Sequence, residues 1–191
     1  MKIRLFSLII IGFILTGCQT SSNVSEDEPP VWISYKISKI TLEYPSNINL
    51  RKLEARLRTR YFSVSAVERN LFSNSSYAIE SRIISRIEAI MLRIEQILAM
   101  NPPYMELKIK IFRDRRELNQ EHCNLFGAMQ NYKSFYVHSL GTIYTSMQDV
   151  SDSVISHEIT HAVIDNYFQV MPPAKTAELL ATYVDSHLEK E

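Results

Sequence analysis

Five residues, His157-Glu158-Ile159-Thr160-His161, combine the side chains that metal-assisted hydrolysis uses at the spacing a helix needs to present them. Residues four apart on a helix stand one turn above each other on the same face, so both imidazoles can reach a single metal ion. Glu158 is offset from His157 by about 100° and lies beside that ion. There it can take a proton from a water that the metal activates. The chain has 5 histidines in all, so the pairing is not a by-product of a histidine-rich composition. A chance H-E-x-x-H in such a chain arises roughly once in a hundred, which leaves the surrounding elements to decide whether this one is a site.

Zinc used catalytically takes three protein ligands and leaves one position for water, so a third ligand is expected downstream, after a turn. Glu178 follows His161 by 17 residues, within Ala177-Glu178-Leu179-Leu180-Ala181-Thr182-Tyr183. Ala181 and Thr182 share its helix face and leave room beside the carboxylate. Leu179, Leu180, Tyr183, Val184 and Leu188 make the rest of this segment largely apolar. A carboxylate in the middle of a packed helix needs a partner, and zinc is a good one. Asp185, two turns further along the same face, is a candidate to hold the second N–H of a ligand histidine. Asp165, one turn past His161, competes for that role. The plainer alternatives are two core histidines satisfied by hydrogen bonds and a glutamate facing solvent.

The helix bearing the histidines is expected to start from a cap at Asp149 or Ser151 and to run to about Phe168. Pro172-Pro173 then breaks the chain and opens a last helix through about Leu188. On the first of these, Ile155, Ile159, Ala162 and Val163 cluster on one side, and the histidines project from the other. Neither Lys nor Arg occurs from Val150 through Met171. Such a helix belongs inside a domain, roofed over its polar face, with water largely excluded from the site.

Upstream, Ile33, Tyr35 and Ile37 alternate, and Ile40, Leu42 and Tyr44 alternate in a shifted phase up to Pro45, as one bulged strand or two short ones would. Asn49 can cap a helix reaching Phe62, whose outer face carries Arg51, Lys52, Arg56, Arg58 and Arg60. That stripe reads as a solvated face rather than a lipid contact. Apolar residues recur at three and four from Ser76 to Met100, which Asn101-Pro102-Pro103 stops. Met105, Leu107, Ile109 and Ile111 mark a half-buried strand, and Asp114 to Leu125 a short helix. Ser134–Val137 and Thr142–Ser146, joined through Gly141, read as a hairpin. No glycine-rich phosphate loop occurs, which counts against nucleotide chemistry.

The first residues read as a targeting segment. Lys2 and Arg4 precede an apolar run, Leu5 to Leu15, that is too short to span a bilayer. Leu15-Thr16-Gly17-Cys18 resembles a bacterial lipobox, and the resemblance implies cleavage before Cys18 and lipidation of its sulfur. Gln19 in the following position implies, for a Gram-negative lipoprotein, the outer membrane facing the periplasm. The expected division is therefore a signal peptide over 1–17, a lipidated flexible tether over 18–30 and one domain over 31–191. Removal of Lys2 and Arg4 leaves 19 basic against 21 acidic side chains, and nothing argues for nucleic acid. With Cys18 lipidated, Cys123 is left unpaired and is expected as a small buried hydrophobe.

His157 to Val163 (HEITHAV) resembles the zinc helix of the gluzincin metallopeptidases, the thermolysin-like clan, and Ala177 to Tyr183 resembles the clan's glutamate helix. The resemblance implies an α+β, zincin-like fold: a small mixed sheet whose edge strand lies over the active-site helix, followed by a glutamate-bearing helix. It also implies one Zn²⁺ per chain on His157, His161 and Glu178, with Glu158 as general base acting on a peptide or protein substrate. Thr142–Ser146 occupies the clan's usual edge-strand place, where a substrate backbone would add. Two departures stand out: Thr182 replaces an aspartate four residues after the ligand glutamate, and the chain ends 13 residues after Glu178. The oxyanion stabiliser is therefore open, with Tyr144, Tyr183 and His187 as candidates. The expected function is a membrane-tethered, extracytoplasmic zinc metallopeptidase. The alternative is a catalytically inactive zincin-fold lipoprotein acting as a zinc-containing binding or structural module, and a zinc hydrolase of non-peptide amides is a third.

Overall fold

A computed structural model describes residues 30–57 and 78–188. The expected signal peptide and nearly all of the expected tether lie outside the described residues, as does Cys18. Among the described residues, no helix is long and apolar enough to cross a membrane.

The shifted alternation at the start resolves into a hairpin. Strands β1 (Trp32–Ile37) and β2 (Ile40–Pro45) pair antiparallel across a turn at Ser38-Lys39, where Ser38 takes a left-handed φ of 51°. Asn49 caps α1 (Leu50–Arg56) by accepting from the Lys52 amide at 3.0 Å. Leu57 leaves helical geometry and ends this helix at Arg56; residues 58–62 of the expected span to Phe62 lie outside the described residues. Its last carbonyls are met from outside: Arg86 donates to the Leu57 and Glu54 oxygens, which satisfies groups a helix end otherwise leaves open.

Arg86 belongs to α2 (Ile79–Leu98), whose Ile83, Ile87, Ile90, Met91 and Ile94 are buried along one side. Ala99 in the left-handed region ends it before the prolines are reached, its amide donating to the Gln96 and Glu95 carbonyls. Strands β3 (Leu107–Phe112), β4 (Ser134–Val137) and β5 (Thr142–Ser146) complete a five-stranded mixed sheet of order β1-β2-β3-β5-β4. The inner pairs β2–β3 and β3–β5 are parallel, and the outer pairs antiparallel.

The remaining helices are α3 (Arg115–Phe126), α4 (Asp152–Tyr167) and α5 (Ala174–Leu188). One core joins Leu42, Ile109 and Ile143 of the sheet to side chains of α1, α2, α4 and α5. A smaller one, Phe112, Leu118, Val137 and Tyr144, lies on the sheet face toward α3. The α+β class is as expected.

Two expectations fail here. Thr142–Ser146 is an interior strand, bonded to β3 on one side and β4 on the other, with all five residues buried. The edge strand is Ser134–Val137, because the chain passes out to β4 before it returns to fill the place beside β3. A run of buried residues is what a parallel interior strand requires. Cys123, expected to be unpaired, is buried and disulfide-bonded.

Candidate metal centre

Ser151, not Asp149, caps α4: its hydroxyl accepts from the Val154 amide at 3.3 Å. Asp149 serves the turn before the helix, accepting from Arg115 Nε at 2.9 Å and Ser146 Oγ at 2.8 Å. Ile155, Ile159, Ala162 and Val163 turn into the main core, which points His157 and His161 away from it. Helix α5 lies against α4 with Ala177, Ala181 and Val184 buried. Ala181, one turn past Glu178, is wholly buried, which seats this part of α5 in the fold while Glu178 reaches the histidines.

The three predicted ligands converge. His157 Nε2 and His161 Nε2 are 3.3 Å apart, and Glu178 places Oε1 3.4 Å from His161 Nε2 and Oε2 3.6 Å from His157 Nε2. A tetrahedral zinc with ligands at about 2.05 Å has ligand–ligand edges of about 3.3 Å. The two imidazole nitrogens stand at that edge, while the two Glu178 distances run from different oxygens, so the carboxylate is within reach of a shared ion and supplies the third donor that the chemistry asks for. The three residues could hold a metal ion, and among the described residues no other group of three metal-ligating side chains comes together in this way.

Asp185 stands where helical arithmetic puts it. Seven residues past Glu178 return it to within about 20° of the same face, and its Oδ2 accepts from His157 Nδ1 at 3.0 Å. That hydrogen bond raises the His157 pKa from its ordinary value, against the lowering effect of burial. It also leaves Nε2 as the nitrogen directed at Glu178. Burial lowers the His161 pKa, opposed by the Glu178 carboxylate. Asp165, the rival, contacts neither imidazole; its carboxylate accepts from Tyr136 Oη at 2.8 Å and pairs with His138 Nδ1.

Glu158 is buried at 6% exposure. Loss of solvent raises its pKa, partly offset by hydrogen bonds from the Ser134 hydroxyl at 2.6 Å and the Tyr136 backbone amide. A carboxylate shifted toward neutrality beside two imidazoles is suited to accept and return a proton. The edge strand therefore positions the base. Ser134 and Tyr136 project to the same strand face, and they meet Glu158 and Asp165, two turns apart on α4.

A cleft of about 550 Å³ opens over these groups, lined among others by Ser134, Tyr136, His138, His157, Glu158 and Glu178. The expectation of a roofed, dry site is not met: the Glu178 side chain is 62% exposed, because α5 covers only one side of the histidines. None of the three expected oxyanion candidates lines this cleft. Tyr144 points to the opposite sheet face, where it stacks on Phe135 at 4.9 Å. Tyr183 and His187 lie about 140° and 180° round α5 from Glu178 and stack on each other at 3.9 Å. The polar groups present instead are Tyr136 and His138, which sequence reasoning missed. Their signal is the alternation Ser134, Tyr136, His138 just upstream of the histidine helix.

No protein-family model matches the chain, and no curated protein or solved structure matches it either.

Proposed function

We propose that the chain is a zinc-dependent peptidase of the gluzincin type, with a zincin-like fold, in which His157, His161 and Glu178 hold the metal and Glu158 is the general base. The observation that carries this reading is the approach of the Glu178 carboxylate to within 3.4–3.6 Å of two imidazoles that face each other at 3.3 Å, with a buried glutamate one residue from the first. Bound there, zinc would supply Lewis acidity toward a water and toward the scissile carbonyl oxygen.

The chain's own residues supply the rest. Ser134 and the Tyr136 amide hold the Glu158 carboxylate at the sheet edge, where it takes a proton from the attacking water and returns it to the leaving amine. Asp185 fixes the ring of His157. His138, tied to Asp165 and lining the cleft, is the side chain best placed to meet a developing negative charge. An extended substrate would add to the outer edge of Ser134–Val137, which no described strand pairs. Attachment to a cell-envelope membrane through a lipid on Cys18, in the outer membrane facing the periplasm if the cell is Gram-negative, is part of the same proposal and rests on the lipobox.

The test is a peptide-library digestion by the zinc-loaded chain and by Glu158→Gln. The wild type is expected to cleave and the variant to keep zinc but lose about 10²–10⁴-fold in rate. Equal cleavage by both would remove Glu158 as the base. No cleavage by either, with zinc bound, would favour a zinc-containing binding module.

A further inference from the structure

The cleft does not end at the metal ligands. Round the edge strand from Ser134 and Tyr136, it is walled by aromatic rings that the mechanism above leaves unused. Phe135 points to the opposite strand face from its two neighbours and meets His122, Tyr132 and Phe126 at ring-centroid distances of 5.1, 5.9 and 6.4 Å. His122 is the hub of this cluster. Its ring lies 4.8 Å from Phe126 and 4.9 Å from Tyr132, and its Nδ1 is hydrogen-bonded to the Ala128 carbonyl at 2.9 Å. The Tyr132 amide donates to Asn119 Oδ1 at 2.9 Å. The rings are thus fixed from behind, yet Phe126 and Tyr132 remain 53% and 42% exposed.

Exposed aromatic area continuous with a candidate catalytic centre has a definite use. A peptide laid along the outer edge of Ser134–Val137 alternates its side chains between the two strand faces. One side chain falls toward the metal ligands, and its neighbour falls on the rings. Among the described residues no Lys or Arg lines the cleft, whereas Glu158 and Glu178 do, so an acidic side chain meets like charge there and an apolar one finds area to bury.

We propose that the Phe126–Tyr132–Phe135 cluster is the substrate side-chain subsite of this centre, selecting an aromatic or long aliphatic residue next to the bond held at the metal. The inference rests on the metal-centre reading. The test separates the two. The zinc-loaded chain is titrated calorimetrically with phenylalanine hydroxamate and glycine hydroxamate, which share the metal-binding group and differ only in side chain. The phenylalanine compound is expected to bind about 10- to 100-fold more tightly. In the double variant Phe126→Ala/Tyr132→Ala, that ratio should collapse to about threefold or less, with glycine hydroxamate affinity unchanged as the control for an intact metal site. The single variant Phe126→Leu should keep most of the preference. Equal affinities in the wild type, or a preference that survives the double substitution, would overturn the subsite. Failure of both hydroxamates to bind would overturn the metal centre itself, and the subsite with it.

Discussion

Asp185 offers the sharpest perturbation of the centre, because it contacts a ligand without being one. Its Oδ2 holds His157 Nδ1 at 3.0 Å, and its Oδ1 is buried with no hydrogen-bond partner among the described residues. The carboxylate is thus committed to His157. Asp185→Ala removes the group that selects the ring's tautomer and orientation while leaving all three ligands in place. Removal of such a partner typically costs 10- to 100-fold in metal affinity, or about 1.4–2.7 kcal/mol. Asp185→Asn keeps an oxygen that can accept from Nδ1 but loses the charge, so its loss should fall at or below the lower end of that range. A competition titration of zinc against a chromophoric chelator reads both variants. Unfolding of the metal-free proteins serves as the control: the His157–Asp185 pair is about one-third exposed, so stability without metal should change by no more than about 1 kcal/mol. A zinc affinity unchanged in Asp185→Ala would refute the orienting role. A loss as large as that of His157→Ala would mean that Asp185 is itself a ligand.

Four further outcomes follow from the same geometry. His138→Phe should keep stoichiometric zinc and substrate KM while lowering kcat about 10²-fold or more; an unchanged kcat would exclude it as an oxyanion donor. Ala181→Leu, which forces a larger side chain into a wholly buried position of α5, should destabilise the fold by about 1–3 kcal/mol and weaken zinc binding as α5 and its Glu178 are displaced; full zinc affinity would show that the seating of α5 does not set the site. Arg115 and the Ser146 hydroxyl hold the Asp149 pKa below the ordinary carboxylate value, against the effect of burial. A depressed folded pKa means stability that is complete above the unfolded value of about 3.9 and is lost as pH falls through the folded value. The difference in Tm between wild type and Asp149→Asn should therefore be present at neutral pH and fade in acid; a difference constant across pH would refute the assignment. Lastly, the chain has 2 cysteines, so within one chain a thioether lipid on Cys18 and a disulfide at Cys123 exclude each other. If the chain is lipidated, Cys123 should alkylate under denaturing, non-reducing conditions, read by intact mass. A lipid-free chain with Cys123 blocked would remove the membrane anchor.

The parts of the site legible in the sequence are those set by helix periodicity. The four-residue step from His157 to His161 and the seven-residue step from Glu178 to Asp185 follow from one turn and two turns of a helix, whatever the rest of the fold does. The same arithmetic argues against Tyr183 and His187, five and nine residues past Glu178, once Glu178 is given the inward face. Strand order is not legible in this way. Ser134–Val137 and Thr142–Ser146 read correctly as a hairpin, but which of them lies outside depends on the parallel pairing of Leu107–Phe112 with Thr142–Ser146, a contact between segments separated by a helix. Misplacing the edge also misplaces Tyr144 and hides Ser134, Tyr136 and His138, which only tertiary packing brings to Glu158 and Asp165. The openness of the site is equally out of reach, since an apolar helix face shows that something covers it but not how far the cover extends.

Zinc-edge X-ray absorption on the purified, zinc-loaded chain tests the central claim most directly, because it reads the ligand set itself. The expected result is one zinc per chain, coordinated by two imidazole nitrogens and one carboxylate at about 2.0–2.2 Å, with the remaining position filled by exchangeable water. A chain that binds no zinc, or a spectrum showing four protein ligands, would contradict it.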